Sequence, residues 1–387
     1  MQRQLIFLIE SRLDERDYVR FGIQYLSSRY NVQVLDCTHF VYPHISTQPP
    51  AVLDASFQYT PVSSRQDVSD VAPAGASSIV VDMLGETIAA NVVRRQVLCD
   101  GGLRVALRLG GLHFTALPWR DRLAGWMAQV WKPDSVQRFL QRLATRAEKM
   151  LKQVPPIKLW VYGGKAGRDG GATSVVYAHS FDYERWRTLG APTLSQPGSY
   201  SLFLDEDIFH HSDYARFGLQ PPVSEAAYYF AINRFFNEYQ RSTGLPVYVA
   251  AHPRAQYAER PQLWGNRMLI HGQTPEAVTG ASQLFAHFST AISFAILANK
   301  PVAHLVSDEL LQSFMGPQVV GVSRFLNTRL VNIDQIRPED VPTAVDQIDV
   351  ARYRAYKNLY LKAEGSVEGP LWEIIVDAAE RQMAVSV

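Results

Sequence analysis

The chain has 387 residues, of which 47% are hydrophobic and 19% are charged, a composition typical of folded globular proteins rather than disordered ones. Its 38 Lys and Arg residues balance 37 Asp and Glu residues, which excludes a global positive field for recruiting nucleic acid. Because this length exceeds what one hydrophobic core usually supports, two domains are expected.

The amino terminus and the cysteines predict a cytoplasmic protein. The apolar run at 5–9 ends at Glu10, which is too short for a signal peptide or a membrane span. Cys37 and Cys99 form no disulfide framework and match no metal-ligand spacing, so both are interpreted as small structural residues in a reducing compartment.

The amino-terminal half reads as an α/β domain. Residues 4–9 predict a buried strand, 18–30 a helix and 32–35 a second strand, the opening of a βαβ unit with a parallel sheet. The Pro- and Ser-containing segment 48–78 is interpreted as a loop. Further predicted elements are strands at 78–83, 104–109, 158–162 and 173–179 and a helix at 86–95.

Two segments of this half invite a binding function. The basic segment 119–152 contains a helix with one apolar and one cationic stripe, which we interpret as a surface helix, with peripheral contact to the inner face of a membrane as the alternative. The glycine-rich stretch 163–171 is neither a Walker loop nor a dinucleotide fingerprint, and a predicted strand follows it. A tight connection is therefore the favoured interpretation.

The carboxyl-terminal half repeats the α/β pattern. Ser224 is the predicted N-cap of a long helix that ends near 241, and apolar helices are expected from 274 and over 291–297. The predicted strands are 201–204, 247–251, 268–270, 284–287 and 301–306. We therefore predict an α/β fold of two Rossmann-like domains facing across a cleft. The expected boundaries are 1–190, 191–345, and a helical tail at 346–387 that packs back toward the first domain.

Polar side chains follow two of these predicted strands. His252 and Arg254 end one strand, while His287, Ser289 and Thr290 follow another. Ligands of open α/β sheets bind outside the carboxyl ends of strands, and imidazole, guanidinium and hydroxyl groups together suit an anion. A phosphate-binding site is the resulting hypothesis, although Ser and Thr at this position are also common simple N-caps.

A third strand ends in a cluster of carboxylates and histidines. Asp205 comes first, and His211 and Asp213 follow within the same segment. Such groups can supply an acid, a base or a nucleophile. The cluster contains suitable metal ligands, but its spacing follows no known metal signature, so a site without metal is favoured.

These segments resemble the two-domain GT-B glycosyltransferases of bacterial surface polysaccharides, above all the retaining β-Kdo transferases, which use CMP-Kdo. The resemblance spans most of the chain. It is carried by 16–23, by Phe203 to Asp213, by the helix segments 226–229 and 233–236, by Ala250 to Arg254, by Ala286 to Thr290 and by Asn299 to Val302. The chain is also similar to bacterial sialyltransferases. However, their Asp/Glu-Asp-Gly motif lacks its glycine here, since Ile208 follows Glu206-Asp207.

The resemblance implies an activity and a set of roles. The carboxyl-terminal half would bind CMP-Kdo through His252, Arg254, His287, Ser289, Thr290 and Lys300, with no other cofactor and no metal. Asp205 would be the nucleophile of a retaining reaction or the base of an inverting one, and His211 or Asp213 would orient it or handle the acceptor proton. The acceptor would be a carbohydrate or lipid-linked glycan of O-antigen or capsule, presented by the amino-terminal half.

Three other functions stay open at this point. A sialyltransferase would also use a CMP-activated sugar. A polyol-phosphate transferase with a CDP-activated donor would need the same phosphate site and a base. A glycan-binding protein without catalytic activity is the alternative outside the enzymes.

Overall fold

The structure is a computed structural model, and its described residues form two compact units. Unit 1 contains the described residues within Met1–Leu109, Leu123–Phe181 and Gly365–Val387, and unit 2 those within Gly110–Arg122 and Asp182–Glu364. The described residues are 2–45, 50, 54–110, 143–145, 147–148, 152–166, 174–189, 198–210, 214, 219–343 and 345–385. None of the helices in these ranges is both long and apolar enough to cross a membrane.

Unit 1 is built on a parallel seven-stranded sheet whose strand order is β3-β2-β1-β4-β5-β6-β7. Its first strand, QLIFLI, is almost fully buried, as expected for a parallel strand covered on both faces. The strands are β1 Gln4–Ile9, β2 Asn31–Asp36, β3 Gln58–Pro61, β4 Ile79–Asp82, β5 Leu103–Arg108, β6 Leu159–Tyr162 and β7 Ser174–Tyr177.

The helices of unit 1 differ in part from the prediction. They are α1 Glu15–Arg20, α2 Ile23–Ser27, α3 Thr38–Val41, α4 Arg65–Asp70, α5 Ile88–Val97 and, at the end of the chain, α13 Leu371–Val385. The single helix predicted over 18–30 is wrong, because Gly22 adopts the left-handed conformation (φ 59°) and separates α1 from α2. Trp372 of α13 packs so closely on Gly22 that a Cβ there would lie 2.4 Å from its ring.

The loop predicted at 48–78 is also wrong in part. Gln58–Pro61 forms the edge strand β3 beside β2, and Ser64 opens α4 with a capping box to Asp67. The strand is short and polar, so its sequence lacks the apolar run by which the inner strands are recognised.

A buried ion pair supports the middle of unit 1. Asp82, at the end of β4, accepts hydrogen bonds from the guanidinium groups of Arg94 (2.8 Å) and Arg104 (2.8 Å). All three side chains are buried, so the carboxylate balances two cations that water does not reach.

Unit 2 is a parallel six-stranded sheet with the order β10-β9-β8-β11-β12-β13. Its strands are β8 Ser201–Leu204, β9 Val247–Ala250, β10 Leu269–Ile270, β11 Gln283–Ala286, β12 Val302–Val306 and β13 Arg329–Asn332. Its helices are α6 Phe181–Arg187, which begins at the last residue of unit 1, α7 Glu225–Thr243, α8 Thr274–Gly280, α9 Ile292–Leu297, α10 Asp308–Gln312, α11 Gly316–Leu326 and α12 Val350–Tyr356.

Short helical turns complete unit 2 at Tyr257–Glu259, Pro261–Trp264, Pro338–Thr343 and Lys357–Leu361. Ser224 is the N-cap of α7 as predicted, but its hydroxyl bonds Glu309 instead of the helix. Phe203, Phe235, Phe236 and Phe285 lie in the core between α7 and the sheet.

The predicted α/β fold with two parallel sheets is confirmed. The basic segment 119–152 lies outside the described residues except for 143–145, 147–148 and 152, and so does 167–173 of the glycine-rich stretch. Membrane contact through 119–152 therefore stays a prediction.

Candidate active site

The strand order of unit 2 defines where a ligand is expected. β8 and β11 are neighbours, yet the chain leads from β8 outward to β9 on one side and from β11 outward to β12 on the other. Such a reversal is a topological switch point, and the crevice outside the carboxyl ends of its two strands is the usual ligand site. Here that crevice lies beside the residues that follow Leu204 and Ala286.

Asp205 lies at this edge and contacts the end of β9. Its Oδ2 accepts hydrogen bonds from the backbone N–H of His252 (3.1 Å) and the hydroxyl of Tyr257 (2.7 Å), and its Oδ1 accepts from the backbone N–H of Asp207 (3.1 Å). The side chain is 6% exposed, and this burial raises its pKa to about 6 although the three donors favour the charged form. At neutral pH Asp205 is therefore an ionised carboxylate whose orientation is fixed by these hydrogen bonds.

Glu206 lies on the other side of the β8 end. It is half-buried, and its Oε1 accepts a hydrogen bond from the backbone N–H of Phe288, so its carboxyl group connects the ends of β8 and β11. Burial raises its pKa to about 8. The two adjacent carboxyl groups thus differ in ionisation at neutral pH.

The turn after Glu206 has a strained backbone. Asp207 is 3% exposed and adopts a left-handed conformation (φ 47°), which Asp tolerates better than most residues. Its Oδ1 lies 3.3 Å from Nδ1 of His210. Ile208, at the position where sialyltransferases carry glycine, has an ordinary φ and packs in the core. His211 and Asp213 lie outside the described residues.

His252 and Arg254 occupy the turn at the end of β9. The backbone N–H of Arg254 donates to Nδ1 of His252 (3.3 Å), so the neutral ring carries its proton on Nε2. His252 is half-buried and Arg254 is exposed. The turn therefore presents an N–H donor and a cation at the same edge as Asp205.

Ser289 and Thr290 follow β11 as predicted. Ser289 is buried, and its Oγ accepts a hydrogen bond from the backbone N–H of Ala291 (3.3 Å), whereas Thr290 is exposed. The structure thus brings Asp205, His252, Arg254, Ser289 and Thr290 to one edge of the sheet.

Two other predicted site residues, His287 and Lys300, do not lie at the surface of this edge of the sheet. His287 is fully buried: its Nδ1 donates to the carbonyl of Leu305 (2.7 Å), its Nε2 accepts from the Tyr228 hydroxyl (2.9 Å), and burial lowers its pKa to about 4. Lys300 precedes β12 and so lies at the amino-terminal edge of the sheet, where its Nζ donates to the carbonyl of Ala281 (2.7 Å). Both residues have structural contacts instead.

Three residues of the site were missed from the sequence. Glu206 stood inside the carboxylate cluster but was not assigned a role. Tyr257 and Tyr228 hold Asp205 and His287 through contacts between residues 52 and 59 positions apart, so no local pattern reveals them.

A cavity adjoins the site. Its volume is about 620 Å³, and Gln256, Tyr257, Glu259 and His271 are among the residues that line it. Tyr257, whose hydroxyl bonds Asp205, is the link between this cavity and the site, and none of the predicted site residues lines it. Another cavity, of about 750 Å³, lies along α7, and none of the predicted site residues lines it.

No protein-family model matches the sequence, and no curated protein matches it. Similar solved structures include a glycotransferase of kitacinnamycin, with 11% identity, coverage of 99% of this chain and 100% of that chain, and a TM-score of 0.53. A UDP-glucosyltransferase from Polygonum tinctorium capable of glucosylating indoxyl has 10% identity, coverage of 99% of each chain and a TM-score of 0.51. The S. aureus protein MnaA in complex with UDP has 13% identity, coverage of 99% and 97%, and a TM-score of 0.50. The chain therefore has the two-domain GT-B fold.

Proposed function

We propose that this chain is a glycosyltransferase that transfers Kdo from CMP-Kdo to a bacterial surface-polysaccharide acceptor. The observation that carries the proposal is the hydrogen bond from the backbone N–H of His252 to Asp205, which joins the ends of β8 and β9 beside the switch point of unit 2. The fold shared with solved glycosyltransferases supports the reaction class. The sequence resemblance supports the CMP-Kdo donor.

The leaving group of such a donor is a nucleotide phosphate. His252 and Arg254 are the cationic and N–H-donating groups proposed to bind it, together with the hydroxyl groups of Ser289 and Thr290. With these contacts the proposed reaction needs no metal. The cavity beside Tyr257 is large enough to hold a nucleoside.

Asp205 is the proposed nucleophile of a retaining reaction. With a pKa of about 6 it is ionised at pH 7, and its hydrogen bonds hold the carboxylate in one orientation. Attack on the anomeric carbon from the face opposite the phosphate would give a covalent sugar–enzyme intermediate, which the acceptor hydroxyl then resolves. The proposed acceptor is a carbohydrate or lipid-linked glycan of O-antigen or capsule.

A donor panel tests this proposal without knowledge of the acceptor. Nucleotide released by slow donor hydrolysis is measured by chromatography with CMP-Kdo, CMP-sialic acid, CDP-glycerol and UDP-glucose. We expect CMP to be released fastest from CMP-Kdo. Asp205→Asn should abolish this release and leave the affinity for CMP unchanged. Fastest release from CMP-sialic acid, CDP-glycerol or UDP-glucose would replace the donor assignment. Binding of CMP or a glycan without any release would favour a protein that is not an enzyme.

A further inference from the structure

We propose that Glu206 is the proton-carrying catalytic residue of the transfer, the partner of Asp205, and that it donates its proton to the departing nucleotide phosphate. The inference rests on the proposed function and assigns a role to a residue that the resemblance leaves without one. It is carried by the position of the Glu206 carboxyl group between β8 and β11.

The position of Glu206 follows from the strand register. Leu204 pairs with Ala286 in the parallel ladder of β8 and β11, so Glu206 lies level with Phe288, two residues further along each strand. The hydrogen bond from the Phe288 backbone N–H to Oε1 of Glu206 agrees with this register. It holds the carboxyl group between the ends of β8 and β11, at the switch point. Asp205 is fixed in the other direction, toward His252 at the end of β9. The two carboxyl groups therefore flank the end of β8.

Accessibility distinguishes Glu206 from its neighbours. Asp205 and Asp207 are 6% and 3% exposed, whereas Glu206 is only half-buried. A group that exchanges a proton with a ligand must lie where that ligand binds, and Glu206 is the least buried of these three consecutive acidic residues. It lies on the side of β8 that carries Ser289, one of the proposed phosphate contacts.

The surroundings of Glu206 favour its neutral form. Burial is the main cause of its raised pKa of about 8, and the neighbouring Asp205 charge adds to it, while the backbone N–H groups of Phe288 and His287 oppose it. Tyr228 of α7 interacts electrostatically with Glu206, and its own neighbour His287 approaches Glu206 through the backbone N–H, with its ring directed to Leu305 and Tyr228. Tyr228 and His287 are both uncharged at neutral pH. Adjacent carboxyl groups with separated pKa values are the usual arrangement of a paired acid and nucleophile.

In the proposed reaction Glu206 gives up its proton in the first step and regains one in the second. The bond between the anomeric carbon and the phosphate oxygen breaks, its electron pair goes to that oxygen, and the proton of Glu206 moves to the same oxygen. Asp205 forms the new bond to the anomeric carbon, and Glu206 becomes a carboxylate that keeps the Phe288 N–H bond. The acceptor hydroxyl then attacks the anomeric carbon, the bond to Asp205 breaks, and the hydroxyl proton returns to Glu206.

Donor hydrolysis as a function of pH tests the role. CMP release from CMP-Kdo is measured from pH 6 to 9.5 in the wild type, in Glu206→Gln and in Glu364→Gln, an exposed control whose carboxylate pairs with Arg354. The wild type and the control should lose turnover as pH rises through about 8, because the acid form of Glu206 disappears. Glu206→Gln should lose roughly 10²- to 10⁴-fold in turnover and lack this decline, with CMP affinity unchanged.

A second variant, Glu206→Asp, tests the role in case Glu206→Gln does not fold. Glu206→Asp keeps an acid but withdraws it by one methylene group, so it should retain the decline at high pH with a lower rate. Turnover of Glu206→Gln within threefold of the wild type, persistence of its decline, or an equal loss of CMP affinity would overturn the inference while leaving the glycosyltransferase intact. If the wild type releases no nucleotide from any donor, both the role of Glu206 and the proposed glycosyltransferase function are overturned.

Discussion

Tyr257→Phe is the change that most sharply tests how Asp205 is held. It removes one hydroxyl group, which is buried and donates to Asp205 Oδ2 over 2.7 Å, and it keeps the ring that packs on Trp264. A hydrogen bond to a charged acceptor contributes about 1.5–3 kcal/mol, compared with about 0.5–1.5 kcal/mol for a neutral pair. The loss should therefore depend on whether Asp205 is ionised.

The sign of the pH dependence follows from the pKa of Asp205. Since the folded-state pKa is about 6 and the usual value is 3.8, the folded protein holds the proton to higher pH than the unfolded chain. The contribution of Asp205 to stability is thus greatest below pH 4 and falls as pH rises through about 6. The Tyr257 hydroxyl opposes this fall by stabilising the carboxylate, so its removal should cost about 2 kcal/mol at pH 8 and about 1 kcal/mol at pH 4.5.

Urea unfolding followed by tryptophan fluorescence measures both values. Tyr353→Phe is a matched control, because its buried hydroxyl donates to the neutral carbonyl of Lys300 over 2.9 Å. The control should lose a similar amount at both pH values. Equal destabilisation of Tyr257→Phe at pH 8 and pH 4.5 would refute the coupling between this hydroxyl and an ionised Asp205.

Three further changes test separate parts of the structure. His252→Ala should weaken CMP binding roughly 10- to 100-fold in calorimetry, because it removes a proposed phosphate contact. Lys300→Ala, at the opposite edge of the sheet, should leave CMP binding unchanged, and equal losses in the two variants would contradict the edge assignment. Tyr228→Phe should lower the unfolding free energy by about 1–3 kcal/mol, because it leaves a buried ring nitrogen without its donor, and CMP affinity should not change; a coupled loss of affinity would count against a structural role. Asp82→Asn should destabilise unit 1 by about 3–5 kcal/mol in thermal or urea unfolding, since Arg94 then stays buried without a counter-charge. A loss of unfolding free energy under about 1 kcal/mol would be inconsistent with that burial.

Most strands of both sheets are predictable from the sequence for a physical reason. Parallel strands covered on both faces need continuous apolar runs, and stretches such as 4–9 and 201–204 have them. The edge strand at 58–61 lacks such a run, and the break at Gly22 depends on the distant Trp372. The edge strand and the break at Gly22 therefore depend on tertiary contacts that no local pattern shows.

The candidate site was likewise predictable from the sequence only in part. Position after a strand predicts which residues reach the carboxyl edge, and Asp205 and His252 do meet there. It does not predict side-chain direction: His287 turns into the core, and Glu206 faces β11 after a strand end where Asp207 adopts a positive φ. These directions depend on hydrogen bonds between segments far apart in the sequence.

Hydrogen–deuterium exchange with and without saturating CMP tests the central claim most directly. If the nucleotide binds at the carboxyl edge of the unit 2 sheet, peptides that cover 205–210, 251–257 and 287–291 should gain protection, while those at the opposite edge, around 298–301, should not. Protection confined to unit 1, to the opposite edge or to the α7 cavity would contradict the proposed donor site.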